Sequence, residues 1–322
     1  MPHETVRSSR AALLLAFLCI WGPIICQDTG MLLMQGDSLL DQNKPQRALE
    51  LFDQALKAEP SARTYLARAK AYYALERNDR FVLDIERALQ LDSTLAEAHY
   101  LRSLYALRAQ DMAKATHHAG RAIQHSEDEK LTAMSHIIRG LGHADRKMQR
   151  EAISDLEHGL KAGIEDLEAM RVLARSYDAA GRHEDALVIL ERLTTLEPDE
   201  VGHWSNRAFE LIQLGRLDEG LVMVEKALEL DKDEPVTLSN RAYIYYQMGR
   251  DKEAMQDVER SLKAYPANAH ALRTRALLHL RKGQQEKACE DLTLARVLMS
   301  IPEVDSLLKE HCAASRSPQK KR

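Results

Sequence analysis

The sequence predicts an all-α fold, a solenoid of about eight stacked helical hairpins followed by a capping helix. Three observations support this prediction. First, four consecutive segments align at a spacing of 34 residues without a gap: 167–200, 201–234, 235–268 and 269–302. Second, small residues and glycine recur at fixed positions within the segments. Third, an apolar stripe follows the second half of each segment, and because a hairpin of this size cannot bury its own apolar face, neighbouring hairpins must stack.

The recurring small residues mark the two helices of each hairpin. Counted from the first residue of a segment, position 8 is alanine in all four segments. Position 15 is glycine in all four, which predicts that the first helix ends there in the left-handed conformation that glycine adopts at low cost. Pro198 and Pro266 at position 32 predict the end of the second helix in their segments.

Segment length, small residues, turn glycines and terminal prolines together resemble the tetratricopeptide repeat. The resemblance covers nearly all of 29–302 and implies a right-handed superhelix of helical hairpins. The array then comprises eight repeats, and the residues that follow predict a capping helix over 303–314 and a disordered basic tail over 315–322. The predicted repeats are 29–61, 62–95, 96–128, 133–166, 167–200, 201–234, 235–268 and 269–302.

The second and fourth repeats depart from the pattern. Glu76 stands at the turn position, and Phe81 stands at position 20, where a small residue is expected. A ring there would overpack the core by about 1–3 kcal/mol unless its neighbours make room, which predicts a locally altered packing angle. In repeat four, Gly159 and Gly163 are expected to weaken the second helix by about 1 kcal/mol each. The middle of the array, which also carries an insertion at 129–132, is therefore predicted to be its least regular part.

The N-terminus predicts export. Arg7 and Arg10 precede an uncharged run over 11–25, which is shorter than the roughly 20 residues of a membrane-spanning helix. A basic start before a short apolar run is typical of a secretory signal peptide, here over 1–26 with cleavage before Gln27. The alternatives are a membrane anchor, a buried capping helix, or lipidation at Cys26. The predicted location is the periplasm or outer cell envelope, with membrane association possible through the N-terminus.

Cys289 and Cys312 are predicted to meet. Their numbers are equidistant from a turn at Ser300 and Ile301, and residues equidistant from the turn of an antiparallel hairpin lie side by side. If the chain is exported, a disulfide between them would secure the capping helix and stabilise it by about 3 kcal/mol. The alternative is a pair of buried thiols.

Composition and motifs argue against several classes of function. A net charge of −4 and a pI near 6.4 give no reason to expect a nucleic-acid partner. No phosphate-binding loop, catalytic signature or zinc-type cysteine spacing appears, so we expect no enzyme activity, cofactor, metal or small-molecule substrate. His99, His136 and His143 lie at core positions of their repeats and are interpreted as structural.

The resemblance places the functional surface on the concave groove, which the first helix of each hairpin lines. Asn206 and Asn240 occupy position 6 of successive repeats, where family members use the carboxamide to hold an extended peptide. Arg171 and Arg175 resemble part of a carboxylate clamp, but Val236 and Asn240 then stand where that clamp has basic residues. The alternative is that the asparagines satisfy backbone groups and the arginines are solvated. The predicted partner-binding residues are Arg171, Arg175, Asn206, Asn240, Tyr243, Tyr246 and Arg273.

The sequence therefore predicts an exported, non-catalytic scaffold or adaptor of a bacterial envelope that binds a protein or peptide in its groove. Two alternatives remain open. One is a membrane-tethered assembly factor of the envelope, which requires lipidation at Cys26 or a retained N-terminal anchor. The other is a regulatory subunit that holds an envelope enzyme near its target.

Overall fold

The computed structural model describes residues 28–312. This part of the chain forms 17 α-helices and no strand, which confirms the predicted all-α repeat class. The helices are α1 Thr29–Asp41, α2 Pro45–Ala58, α3 Ala62–Ala74, α4 Asn78–Leu91, α5 Ala96–Arg108, α6 Met112–His125, α7 Glu129–Asp145, α8 Gln149–Lys161, α9 Leu167–Ala179, α10 His183–Leu196, α11 Val201–Gln213, α12 Leu217–Leu230, α13 Pro235–Gln247, α14 Asp251–Ala264, α15 Ala269–Arg281, α16 Gln285–Leu298 and α17 Pro302–Cys312.

The helices belong to two compact units. The first comprises residues up to 109 together with 118–127, and its core is a cluster around the fully buried rings of Phe52 and Phe81. The second comprises 110–117 and the residues from 128 onward. Its buried side chains form successive clusters along the helix order, and the cluster of α7 to α10 ends at Leu193 while the next begins at Ala208.

Side-chain caps mark the start of the first helix in most hairpins. Ser61 forms a capping box with Thr64, and Asp166 accepts a hydrogen bond from the backbone N–H of Ala169. Such caps satisfy N–H groups that have no partner within the helix. Most second helices, which follow the tight turns at position 15, lack side-chain caps. The exception is α6, where the backbone N–H of Lys114 donates to Asp111 Oδ1 at 3.1 Å. Side-chain caps are therefore more frequent on the first helix of a hairpin than on the second.

Position 15 keeps one backbone conformation throughout the array. The four predicted glycines have φ between 70° and 74°. In the first four repeats the same left-handed conformation is adopted by residues with side chains, namely Asn43, Glu76, Gln110 and Lys147, with φ between 56° and 59°. The hairpin turn is therefore maintained where glycine is absent. The N–H of the following residue donates to a carbonyl five residues back, as from Arg250 to Tyr245 at 2.8 Å.

Close approaches between helices explain the irregular core positions. A Cβ on Gly36 would overlap the Phe52 ring, so glycine makes room for that aromatic side chain. Phe81 is fully buried, and its ring centroid lies 5.2 Å from that of Tyr73 and 5.4 Å from that of Tyr105. The large ring at position 20 is thus accommodated inside an aromatic cluster.

Repeat four corrects the expectation about its glycines. Gly163 lies beyond the end of α8 and has φ +80°, so it belongs to the turn and not to the helix interior. Gly159 does lie inside α8, but a Cβ there would be 2.8 Å from the carbonyl oxygen of Ala133 on α7. The glycine therefore permits close packing of the two helices. Residues 129–132 form the first turn of a longer α7, which begins at Glu129.

An arginine and aspartate pair recurs within four hairpins. Each arginine at position 7 donates two hydrogen bonds to the carboxylate 16 residues later, and that carboxylate is buried. The pairs are Arg68 with Asp84, Arg139 with Asp155, Arg241 with Asp257 and Arg275 with Asp291. Repeat five has Leu173 and Ile189 at the same two positions, both within an apolar core cluster.

The C-terminal helix packs against the last repeat. Val304 of α17 is fully buried in one cluster with Leu292 and Ala295 of α16. The structure brings Cys289 and Cys312 together, with their Cα atoms 5.7 Å apart and their sulfur atoms at bonding distance. This separation lies within the range that a disulfide requires.

The predicted signal peptide over 1–26, Cys26 and the predicted tail over 315–322 lie outside the described residues. The same holds for 313–314 at the end of the predicted cap. Among the helices of residues 28–312, none has the length and apolar character needed to cross a bilayer.

Candidate functional site

A cleft of about 420 Å³ opens between the first helices of repeats five and six. Helical spacing places its residues, since Arg171, Arg175 and Asp178 share one face of α9. Asn206, Phe209 and Glu210 lie on the facing side of α11, and Leu190 and Leu193 of α10 add apolar surface. The cleft thus combines cationic, amide, acidic and apolar groups, and it lies where the core cluster ending at Leu193 gives way to the one beginning at Ala208.

Three of the predicted binding residues line this cleft. Arg171 is held by an ion pair with Glu197, whose carboxylate also accepts a hydrogen bond from His203 at 2.8 Å. The contacts with His203 and Arg171 lower the pKa of Glu197. Arg175 is different, because its side chain is 70% exposed and its ion pair with Glu168 is long, at 3.6 Å. Asn206 is also exposed. Among these three predicted residues, Arg175 and Asn206 are therefore the exposed ones.

Asn240 is not accessible, although it occupies the same repeat position as Asn206. It is only 6% exposed, and its amide donates to the backbone carbonyl of Ser205 at 3.2 Å and lies 3.4 Å from the Ser205 hydroxyl. The interaction joins α11 to α13. The structure therefore places Asn240 in a contact between repeats, as in the alternative reading of the asparagines.

Tyr243, Tyr246 and Arg273 are likewise occupied by neighbours. Arg273 stacks over the Tyr243 ring with its guanidinium carbon 4.3 Å from the centroid, and Arg281 stacks over Tyr246 at 3.9 Å. Arg273 is buried and also pairs with Glu303 of α17 at 2.9 Å. These cation–π contacts join repeats seven and eight. They leave less of the tyrosine faces available than the sequence suggested.

Phe209, which lines the cleft, also contacts repeat eight. Its ring meets His270 of repeat eight edge to face, with centroids 5.7 Å apart. Burial, together with the positive charge of Arg273, lowers the pKa of His270 to about 4. The His270 ring is therefore neutral at physiological pH. The predicted binding residues thus form two groups, an open one at Arg171, Arg175 and Asn206 and a packed one around Tyr243.

Sequence reasoning missed a trio of potential metal ligands beside the cleft. Asp178, His183 and Glu210 each direct one ligand atom toward the others, and these atoms all lie within 4.8 Å of one another. His183 Nδ1 is 2.8 Å from Glu210 Oε2 and 3.8 Å from Asp178 Oδ1. No local motif announces this trio, because its members come from three helices.

The recurring Arg–Asp pairs were also missed, but they left a signal in the sequence. Arginine and aspartate stand 16 residues apart at positions 7 and 23 in four of the aligned repeats. A comparison of polar positions across the repeats would have found them.

Family models place the repeats in a known family. Models described as tetratricopeptide repeat match residues 33–96, 168–200 and 237–268. These ranges include α3 and α4 and nearly all of both helices of repeats five and seven. The chain is a multi-repeat tetratricopeptide repeat protein. The resemblance that the sequence suggested is thereby confirmed.

Comparison with solved structures finds matches at low identity. This tetratricopeptide repeat protein matches a crystal structure of the APC/C hetero-tetramer Cut9-Hcn1 with a TM-score of 0.50 and 15% identity, covering 91% of this chain and 57% of that one. It also matches PilW, titled a widely conserved type IV pilus biogenesis factor, with a TM-score of 0.49, 18% identity and coverage of 63% and 93%. A repeat protein from Parabacteroides merdae matches with a TM-score of 0.43, 15% identity and coverage of 87% and 97%. The search of curated proteins finds no match.

Proposed function

We propose that this chain is a non-catalytic scaffold that binds an extended segment of a partner protein in the cleft between repeats five and six. The observation that carries the proposal is the pair of accessible polar side chains, Arg175 and Asn206, at a cleft that also has apolar lining. Solenoid repeat proteins bind through extended surfaces of this kind.

The groups that line the cleft indicate what kind of peptide segment would bind there. The Asn206 carboxamide both donates and accepts, so it can pair with a peptide backbone. Arg175 offers a guanidinium to an acidic side chain or a C-terminal carboxylate. Phe209 and the leucines of α10 offer apolar surface between these polar groups. An extended segment with one acidic group and a neighbouring apolar side chain fits this arrangement.

Site-specific cross-linking tests the proposal. A photoreactive amino acid replaces Asn206 in one variant and Arg192 in a matched control, since Arg192 is exposed on α10 and does not line the cleft. We expect a discrete cross-linked partner from position 206 alone, and its loss when Arg175→Ala is added. Equal cross-linking from both positions, or a product insensitive to Arg175→Ala, would contradict the cleft as the binding site.

We propose further that the chain is exported, which the basic start and short apolar run before Gln27 support. The mature chain isolated from its native source should begin at Gln27, as read by intact mass. A chain that still begins at Met1 would contradict export. A lipid mass on Cys26 would instead support the membrane-tethered alternative.

A further inference from the structure

The Asp178, His183 and Glu210 trio has the donor set of a transition-metal site. It presents one imidazole nitrogen and two carboxylate oxygens, which are ligand types that Zn²⁺ accepts. Zinc bonds of about 2.0–2.2 Å hold tetrahedral ligand atoms roughly 3.3–3.6 Å apart. The observed separations of 2.8 Å and 3.8 Å from His183 Nδ1 lie on either side of that range. All three ligand atoms lie within 4.8 Å of one another, so side-chain shifts of roughly 1 Å would bring them to these spacings.

The backbone holds the three residues in place. Asp178 lies in the last turn of α9 and His183 is the first residue of α10, so the tight turn at Gly181 brings these two together. Glu210 projects from α11, the first helix of the next hairpin. No rearrangement of the helices is needed to assemble the ligands.

The trio has too little positive charge for its two carboxylates. The Glu210 side chain is 5% exposed, and among the described residues His183 is the only basic side chain that pairs with either carboxylate. A bound divalent cation would supply the missing charge.

We propose that Asp178, His183 and Glu210 bind a divalent transition-metal ion such as Zn²⁺, with a remaining coordination position directed to the cleft. The direction follows from the lining, since Asp178 and Glu210 both face the cleft. An ion there would give the cleft a cationic group to which a carboxylate or imidazole of a ligand could bind. This inference concerns metal binding by the chain itself and does not depend on a protein partner.

Zinc and cobalt titrations of the metal-stripped full chain test the proposal. We expect one ion per chain by equilibrium dialysis and a cobalt spectrum without a sulfur charge-transfer band. His183→Ala and Glu210→Gln should each weaken binding at least about tenfold, because each removes one of three protein ligands. His203→Ala is the matched control, since His203 lines the same cleft but pairs with Glu197. It should bind zinc like the unmodified chain.

Thermal melting provides a second readout. Zinc should raise the melting temperature of the unmodified chain and of His203→Ala, because a ligand that binds only the folded state stabilises it. Zinc should not raise the melting temperature of Glu210→Gln, because this variant lacks one ligand. The change is nearly isosteric, and circular dichroism serves as the control that the variant folds. Absence of zinc binding by the unmodified chain would overturn the proposal. So would undiminished binding in both His183→Ala and Glu210→Gln, or a spectrum of cysteine ligation.

Discussion

At position 15 of each repeat, individual residues adopt a left-handed backbone whether or not they are glycine. Glu76 and Lys147 have φ of 56° and 59°, close to the 74° of Gly249. The turn is imposed by the packing of the two helices that flank it. Residues with a Cβ bear a cost of roughly 1–2 kcal/mol in this conformation.

Replacement at this position should therefore change stability in opposite directions. Glu76→Gly and Lys147→Gly should each stabilise the fold by about 0.5–1 kcal/mol. This net value already allows for the greater flexibility that glycine gives the unfolded chain, which offsets part of the gain. Gly249→Ala should destabilise it by about 1–2 kcal/mol. Asn43→Gly is the control and should change stability least, because asparagine tolerates this region. Urea unfolding measures all four, and destabilisation by Glu76→Gly would contradict the argument.

The buried carboxylate of Asp155 should make the stability of the fold sensitive to acid. Burial raises its pKa, but hydrogen bonds from Arg139 and His136 outweigh burial and lower the pKa to about 2. The folded-state pKa is thus below the unfolded value of about 3.9. The stabilisation is fully present above about pH 4 and is lost as the pH falls from there to about 2. Unfolding measured across this range should show a smaller decline in Asp155→Asn than in the control Asp199→Asn, which is changed at an exposed site. Equal declines would mean that Asp155 does not contribute.

The recurring Arg–Asp pair joins the two helices of one hairpin. A buried pair is often no more stabilising than well-packed apolar residues, whereas removal of one partner leaves an uncompensated charge. Repeat five demonstrates the apolar solution with Leu173 and Ile189 at the same positions.

This comparison predicts a strongly non-additive result in repeat seven. Arg241→Leu alone should destabilise the fold by about 3–5 kcal/mol, because Asp257 stays buried without its main partner. Arg241→Leu combined with Asp257→Ile reproduces the pair of repeat five and should lie within roughly 1–2 kcal/mol of the unmodified chain. Thermal or urea unfolding of the two single variants and the double variant gives the coupling. Additive losses would show that the pair does not act as a unit.

For the molecule as a whole, the last hairpin and α17 form the end of the array. Val304 covers the apolar side of α16, and the contact of Cys289 with Cys312 joins the end of α17 to the last repeat. A disulfide there closes a loop whose entropy favours the folded state by about 3 kcal/mol.

The cysteine pair predicts a local effect of reduction. If the chain is exported as proposed, alkylation without reductant should leave both Cys289 and Cys312 unlabelled. Reduction, or the paired change Cys289→Ser and Cys312→Ser, should speed amide exchange in α17, while α9 to α12 keep their protection. Labelling of both thiols in the mature chain would refute the bridge, and an equal loss of protection in α9 to α12 would contradict a local role.

The predicted binding residues fall into two groups, one that lines the open cleft and one that is packed between repeats. Asn206 and Asn240 are equivalent by sequence position, yet one is exposed and the other donates to Ser205. The difference arises because α11 and α13 pack closely enough for that hydrogen bond, whereas a cleft opens between α9 and α11. Spacing within one repeat cannot predict how closely two neighbouring repeats approach.

The repeat period, the turn positions and the meeting of the two cysteines follow from residues alone, because they depend on local backbone geometry and on distance along the chain. Packing between repeats decided the rest. It placed Phe81 among aromatic rings, covered Tyr243 and Tyr246 with arginines, and assembled Asp178, His183 and Glu210 from three helices. These contacts join residues whose separation in sequence carries no periodic signal, so they emerge only when the helices are stacked.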